Sequence, residues 1–178
     1  MVLFHKDNHV TLILSFTPFR FSLNLPIQAH YLRLVAWIVV IQLLAGASSL
    51  YSQPGVWYDT LVRSPLTPPG FVFGLVWPLL YLLLAYYGWH LWEQSTTSIT
   101  EKRVYLLQMM INLLWSSVFF ALQQVSLALL MIAVMILMTI YLMLKGFQSA
   151  YSAWVVLIPY LLWLLFAFYL TSYIAAFS

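Results

Sequence analysis

No cysteine occurs anywhere in the 178 residues, which removes disulfides, thiolate metal sites and thiol nucleophiles, and leaves no redox compartment to be read. Charge is nearly as scarce. Seven basic and four acidic side chains make up 6% of the chain, against about a quarter in a soluble domain, too few to coat a surface in water. Catalytic patterns are missing too: no carboxylate pair inside an apolar run, no His-x-x-x-His, no Gly-x-Ser-x-Gly and no glycine-rich phosphate loop. The net charge of +3 comes from scattered basic residues, a poor footprint for nucleic acid, and no metal site is expected.

What the chain has is apolar length. Apolar residues make up 64% of it, gathered into runs of about 20, the length that crosses a hydrocarbon core of roughly 30 Å. Five such runs fit, at residues 32–51, 71–92, 104–122, 126–144 and 154–177. The pattern predicts an all-α integral membrane protein, a bundle of five transmembrane helices over residues 31–178. Residues 1–30 are expected to form a loose or interfacial extension, since their one apolar run, residues 10–16, is too short to span.

Residues 52–70 carry Pro54, Pro65, Pro68 and Pro69, whose fixed φ and missing N–H donors exclude a regular helix across that loop. The other connections are shorter: a polar one at 93–103, a minimal turn at Gln123-Gln124, and a brief one at 145–151. Sequential helices joined this tightly pack as antiparallel neighbours. The small-residue patch Ala45-Gly46-Ala47-Ser48-Ser49 reads as a surface for close helix packing. Lys6, Arg20, Arg33, Lys102, Arg103 and Lys145 fall on the amino-terminal side and Arg63 alone on the other. That asymmetry predicts a cytoplasmic amino terminus and an external proline-rich loop, and favours a bacterial inner membrane. Tyr51, Trp89, Trp92 and Trp154 sit at span ends, where aromatic belts anchor helices. His90 stands alone and reads as an interfacial polar residue.

The third span is the exception to an apolar interior. Gln108 and Asn112 lie one turn apart, and Trp115 and Phe119 continue their face. An unpaired amide in lipid costs several kcal/mol, so this face points into the bundle. It serves either helix-to-helix hydrogen bonds worth about 0.6–2 kcal/mol each or a polar contact inside an aromatic cavity. Phe73, Trp77 and Tyr81 form a stripe on the second span; Tyr160, Trp163 and Ala167 follow Pro159 on the fifth. Such stripes are usually packing. Mid-span tryptophans at 77, 115 and 163, each with an N–H that seeks a partner, exceed what packing needs and suit a flat, apolar, partly polar guest.

Trp57-Tyr58-Asp59-Thr60-Leu61, followed by Pro68-Pro69-Gly70-Phe71-Val72-Phe73-Gly74-Leu75-Val76-Trp77 and Tyr81, resembles the translocator protein family, also called TspO, tryptophan-rich sensory protein or peripheral-type benzodiazepine receptor. Asn112-Leu113-Leu114-Trp115 with Phe119-Phe120, and Pro159-Tyr160-Leu161-Leu162-Trp163 with Phe166-Ala167, are similar to its third- and fifth-helix signatures in order and spacing. The resemblance implies a five-helix bundle, often a homodimer, whose pocket binds porphyrins and, in some members, sterols or synthetic isoquinoline and benzodiazepine ligands.

Carried over by position, the resemblance places Tyr58 and the proline loop over the pocket mouth. Trp77, Asn112, Trp115 and Trp163 fall in the wall and Ala167 beside the ligand, with Gln108 and Tyr160 as further wall candidates. The implied role is transport, sensing or disposal of porphyrins or haem intermediates, with no cofactor beyond a porphyrin- or haem-type ligand. Two alternatives stand beside it. One is light- and oxygen-dependent porphyrin breakdown, with Trp77 and Trp163 as the reactive side chains; the other is a structural or partner-binding membrane protein. The chain departs from the family pattern at Arg63-Ser64-Pro65, where Lys-Pro is usual, at Leu66 in place of a tryptophan, at Pro78 after Trp77, and at Leu170-Thr171 in place of Leu-Asn.

Overall fold

A computed structural model of the protein describes the backbone of residues 2–6, 9–13, 25–149 and 152–178, and the side chains of residues 29–50, 52–149 and 152–178. Arg20 and the side chains of Lys6 and Tyr51, used above for topology, lie outside it. The chain divides into two units, residues 1–33 and 34–178. In the first, strands β1 (Val2–Lys6) and β2 (His9–Ile13) pair antiparallel, from Val2 opposite Ile13 to Lys6 opposite His9. Part of the short apolar run 10–16 is thus strand, in keeping with its β-branched residues.

The helices are α1 (Leu25–Tyr51), α2 (Val56–Thr60), α3 (Gly70–Glu93), α4 (Ile99–Ser116), α5 (Val125–Gln148) and α6 (Leu157–Phe177). A π-helical turn, Ser117–Ala121, extends α4, and a 3-10 turn, Ser152–Val156, precedes α6. Among the described residues, five stretches are long and apolar enough to cross a membrane: Ala29–Leu50, Gly70–Glu93, Ile99–Ala121, Val125–Gln148 and Ser152–Phe177. The expected five-span helical architecture is present, with each span starting earlier than expected.

Each displacement has a local cause. Pro26 falls in the first turn of α1, where its missing N–H is not needed. Ser98 caps α4: its Oγ accepts from the Glu101 N–H at 3.2 Å while Glu101 Oε1 accepts from the Ser98 N–H at 3.3 Å. This reciprocal pair satisfies two otherwise orphaned donors. Glu101, Lys102 and Arg103 therefore belong to the helix and not to the connection before it. In residues 52–70 the prolines flank a five-residue helical turn, α2, which fits between Pro54 and Pro65, so no regular helix runs across the loop. Gln123 takes φ 56°, the left-handed conformation that turns the chain into α5.

The core is built where α5 packs on α6 and α4, with α3 alongside, around Leu84, Tyr105, Ile132, Met135, Leu142, Leu157 and Leu164. In lipid no hydrophobic force drives helices together, so close approach at small residues and interhelical hydrogen bonds supply the attraction. A Cβ on Gly88 would stand 2.3 Å from Tyr105 Oη, and one on Gly146 would stand 2.7 Å from Trp154 Cβ. The Tyr105 hydroxyl donates to the Leu84 carbonyl at 2.9 Å.

The small patch at 45–49 behaves differently, because no atom comes within 4 Å of a Cβ placed on Gly46. The middle of α1 does pack, through buried Ile41 and through Trp37, 5.0 Å from the Trp92 ring. The stretch that follows stands off and is held by polar pins. Gln42 Nε2 donates to the Pro78 carbonyl at 2.9 Å, Ser48 Oγ donates to the Leu113 carbonyl, and the Ser52 and Ser117 hydroxyls meet at 2.8 Å. The close-packing expectation for this patch is corrected: small side chains here leave space open.

Two measurements check this. In detergent, Gly88→Ala lowers unfolding stability by about 1–3 kcal/mol through overpacking against Tyr105, whereas Gly46→Ala raises it by about 0.5–1 kcal/mol by removing a helical glycine that touches nothing. Ser98→Ala costs about 0.5–2 kcal/mol through the lost cap, read as earlier hydrogen exchange in the first turn of α4.

Candidate ligand cavity

The standing-off stretch of α1 faces α3, α4 and α6 across a cavity of about 620 Å³, roofed by the segment that carries α2. Small-molecule sites occupy about 300–1,000 Å³. The space exists because small residues meet there: Ala45 and Gly46 from α1, Gly74 from α3 and Ala167 from α6. Nothing lies within 4 Å of a Cβ on Gly74 either. Four residues on, Pro78 lacks the N–H that would have bonded the Gly74 carbonyl.

Two banks of aromatic rings border the space. On α3 and α6, Trp77 stands 5.6 Å from Tyr81 and 6.4 Å edge-on to Trp163, which in turn meets Phe73 at 5.6 Å. On α4, Trp115 stacks on Phe119 at 5.2 Å and 11°, Phe119 meets Phe120 at 4.9 Å, and Phe120 meets Tyr58 of the roof at 5.4 Å. The wide π turn belongs here. Turns of this kind shift the helical register by one residue, and both Phe119 and Phe120 border the cavity.

Asn112 is the polar centre of the wall. Its Nδ2 donates to the Tyr160 hydroxyl at 2.8 Å, and its Oδ1 accepts from the Tyr81 hydroxyl at 3.3 Å. Tyr160 passes its own hydrogen to Met135 Sδ at 3.7 Å. The indole N–H of Trp115 is satisfied by the Ala128 carbonyl at 3.1 Å, whereas that of Trp163 is buried with no hydrogen-bond partner among the described residues. Trp163 also borders a second, wholly apolar groove of about 500 Å³ between α3 and α6.

Of the side chains singled out from sequence, Tyr58, Trp77, Asn112, Trp115, Trp163 and Ala167 line the cavity. Gln108 and Tyr160 do not. Tyr160 is wholly buried behind Asn112, and Gln108, 1% exposed, donates to Thr139 Oγ1 at 2.9 Å. The two readings of the third-span face thus divide by residue: Gln108 ties helices together, while Asn112 does so and borders the space. Sequence reasoning missed Gln42, Ser49, Arg63 and Thr171, which also line it. A signal was present in Gln42, which an apolar span would not carry without a use.

The arrangement offers stacking surfaces, a few fixed polar groups and room. Trp77 and Trp163, the residues named for porphyrin breakdown, lie together in one wall.

Comparison with known proteins agrees with this geometry. The model of the TspO/MBR family matches residues 34–177, a stretch that contains every cavity residue named above. The chain is 32% identical over 141 residues to the tryptophan-rich protein TspO of Archaeoglobus fulgidus, covering 78% of this chain and 92% of that one. It is 34% identical over 111 residues to the tryptophan-rich sensory protein of Cereibacter sphaeroides, covering 62% and 70%. It is 28% identical over 126 residues to the translocator protein of Bos taurus, covering 68% and 75%. With five helices fit to cross a bilayer and this match over most of its length, the chain is a multi-pass integral membrane protein that belongs to the TspO/MBR family.

Proposed function

We propose that this protein binds porphyrins or related tetrapyrroles in the cavity under the α2 roof, in the service of their transport or sensing. The observation that carries the reading is the pair of aromatic banks facing one another across about 620 Å³ above a floor of glycine and alanine. A planar macrocycle gains from flat aromatic partners, offset-stacked or edge-on, worth about 0.5–1.5 kcal/mol per ring beyond buried area. Gly46 and Gly74 let it approach backbone on both sides. The names of relatives, a sensory protein and a translocator protein, are compatible with a small-molecule role.

The placement that goes with this reading is a bacterial inner membrane with the amino terminus cytoplasmic. Lys102, Arg103 and Lys145 lie at one end of the bundle and Arg63 at the other, which sets the roofed mouth on the external face. A cysteine introduced at Thr60 should react with an impermeant maleimide in intact cells, and one at Thr96 only after lysis; the reverse labelling overturns the orientation.

The binding test uses quenching of tryptophan fluorescence by protoporphyrin IX in detergent, paired with thermal stabilisation. Saturable quenching is expected, and ligand at a hundred times its Kd adds about 2.7 kcal/mol of stability. Gly74→Leu, which fills the floor where a side chain meets nothing, should abolish both signals without lowering the unliganded melting temperature. Trp163→Ala should weaken binding by about tenfold, the equivalent of about 1.4 kcal/mol. Absence of saturable quenching, or equal binding in Gly74→Leu, removes the reading.

A further inference from the structure

Among the side chains that line the cavity, Arg63 is the one that carries a charge. It stands at the mouth, its guanidinium carbon 5.0 Å from the centre of the Tyr58 ring. Tyr58 packs on Phe120, which packs on Phe119, which stacks on Trp115. The α4 bank therefore runs without interruption from the half-buried indole of Trp115 to a cation at the rim.

The position of Arg63 is fixed from both sides. The Val62 N–H donates to Ser178 Oγ at 2.8 Å, and the Ser64 and Tyr169 hydroxyls meet at 2.9 Å, so the residues before and after Arg63 are fastened to the residue that follows α6 and to α6 itself. Among the described residues its donors have no hydrogen-bond acceptor. Asp59 Oδ1 lies 3.9 Å from Nη2, beyond hydrogen-bond reach. The pair is 41% and 75% exposed, and pairs of this kind contribute little.

Building on the porphyrin reading above, we propose that Arg63 is the anion-recognising residue of the cavity. The ligand it selects is a planar amphiphile bearing a carboxylate, seated with its apolar body between the aromatic banks and its carboxylate at the rim on the guanidinium. The forked donors of arginine match a carboxylate with two parallel hydrogen bonds. Placing the anion at the half-exposed rim avoids the cost of carrying it among the aromatic rings, where no cation waits. Asp59 competes for the same guanidinium, so it restrains affinity and screens for ligands able to displace it.

The test compares protoporphyrin IX, which carries two carboxylates, with its dimethyl ester, which has the same ring and none. Affinities are read by tryptophan quenching in phosphatidylcholine nanodiscs, with empty discs subtracted. Wild type should bind the diacid at least tenfold more tightly than the ester. Arg63→Gln should lose about tenfold for the diacid and less than twofold for the ester. Arg63→Lys should fall between, and Asp59→Asn should gain about two- to fivefold for the diacid alone. Opposite signs for the two charge removals, confined to the diacid, are what a merely structural role of the loop would not produce.

Equal losses on both ligands in Arg63→Gln, or equal wild-type affinity for diacid and ester, overturn the assignment while leaving porphyrin binding in place. Saturable binding of neither ligand overturns both. Replacing a third of the lipid by phosphatidylglycerol should leave the diacid affinity within twofold. Competition there would make a lipid phosphate the anion that Arg63 holds and overturn the carboxylate. Should Arg63→Gln fail to fold, the Asp59→Asn gain decides by itself.

Discussion

A carboxamide in hydrocarbon has no water to fall back on, and the way Asn112 meets that demand organises the bundle. Its amide donates to Tyr160 on α6 and accepts from Tyr81 on α3, while Tyr160 reaches Met135 on α5. Four helices are thus joined at one polar point, with Gln108 and Thr139 adding a second tie between α4 and α5. Each such bond contributes on the order of 1 kcal/mol in a membrane, modest in isolation, but leaving any of these groups unpaired would cost several times more. α1 contributes no side chain to the network. Its last stretch is therefore free to stand away, and the cavity is the space that remains.

What keeps that space open is a choice of residue size. Gly46 and Gly74 leave room, whereas Gly88 and Gly146 are filled by Tyr105 and Trp154. Identical side chains produce a void in one place and a tight contact in another, and the partner across the gap decides which. The rings around the void hold one another edge-on or offset, the arrangements that aromatic quadrupoles favour, so the walls are firm without filling the centre. Ser48 on α1 and Ser52 just after it complete the enclosure by bonding α4 and the π turn that extends it.

The five spans and the proline-bearing loop were legible in the sequence because length, apolarity and proline placement carry them directly, whereas the cavity wall was legible through the resemblance to the translocator protein family, spacing alone leaving the Gln108–Asn112 face open between helix ties and a cavity. Gln108 and Tyr160 were not placed correctly by spacing. They share a helical face with Asn112 and Trp163 respectively, but periodicity reports direction around an axis and not depth along it, and each lies one turn or less beyond the edge of the open space. The start of α4 was read late because Glu101, Lys102 and Arg103 look like a polar connection unless the reciprocal cap at Ser98 is noticed. The π turn at Ser117–Ala121 leaves no compositional trace, yet it helps set which phenylalanines border the cavity. The role of Gly46 was hidden because a glycine in an apolar run reads the same whether a neighbour approaches or none does.

The roof over the cavity is fastened at Ser64 to α6 and at Val62 to Ser178, the residue that follows α6. These two hydrogen bonds, each contributing about 0.5–1.5 kcal/mol net, act beside the ring contacts of Trp57 and Tyr58 with Phe119 and Phe120. The roof is thus seated by polar groups on one side and by aromatic rings on the other. Because the roof is tied to the helix that also carries Trp163 and Ala167, any displacement of α6 would shift the mouth and the chamber wall together.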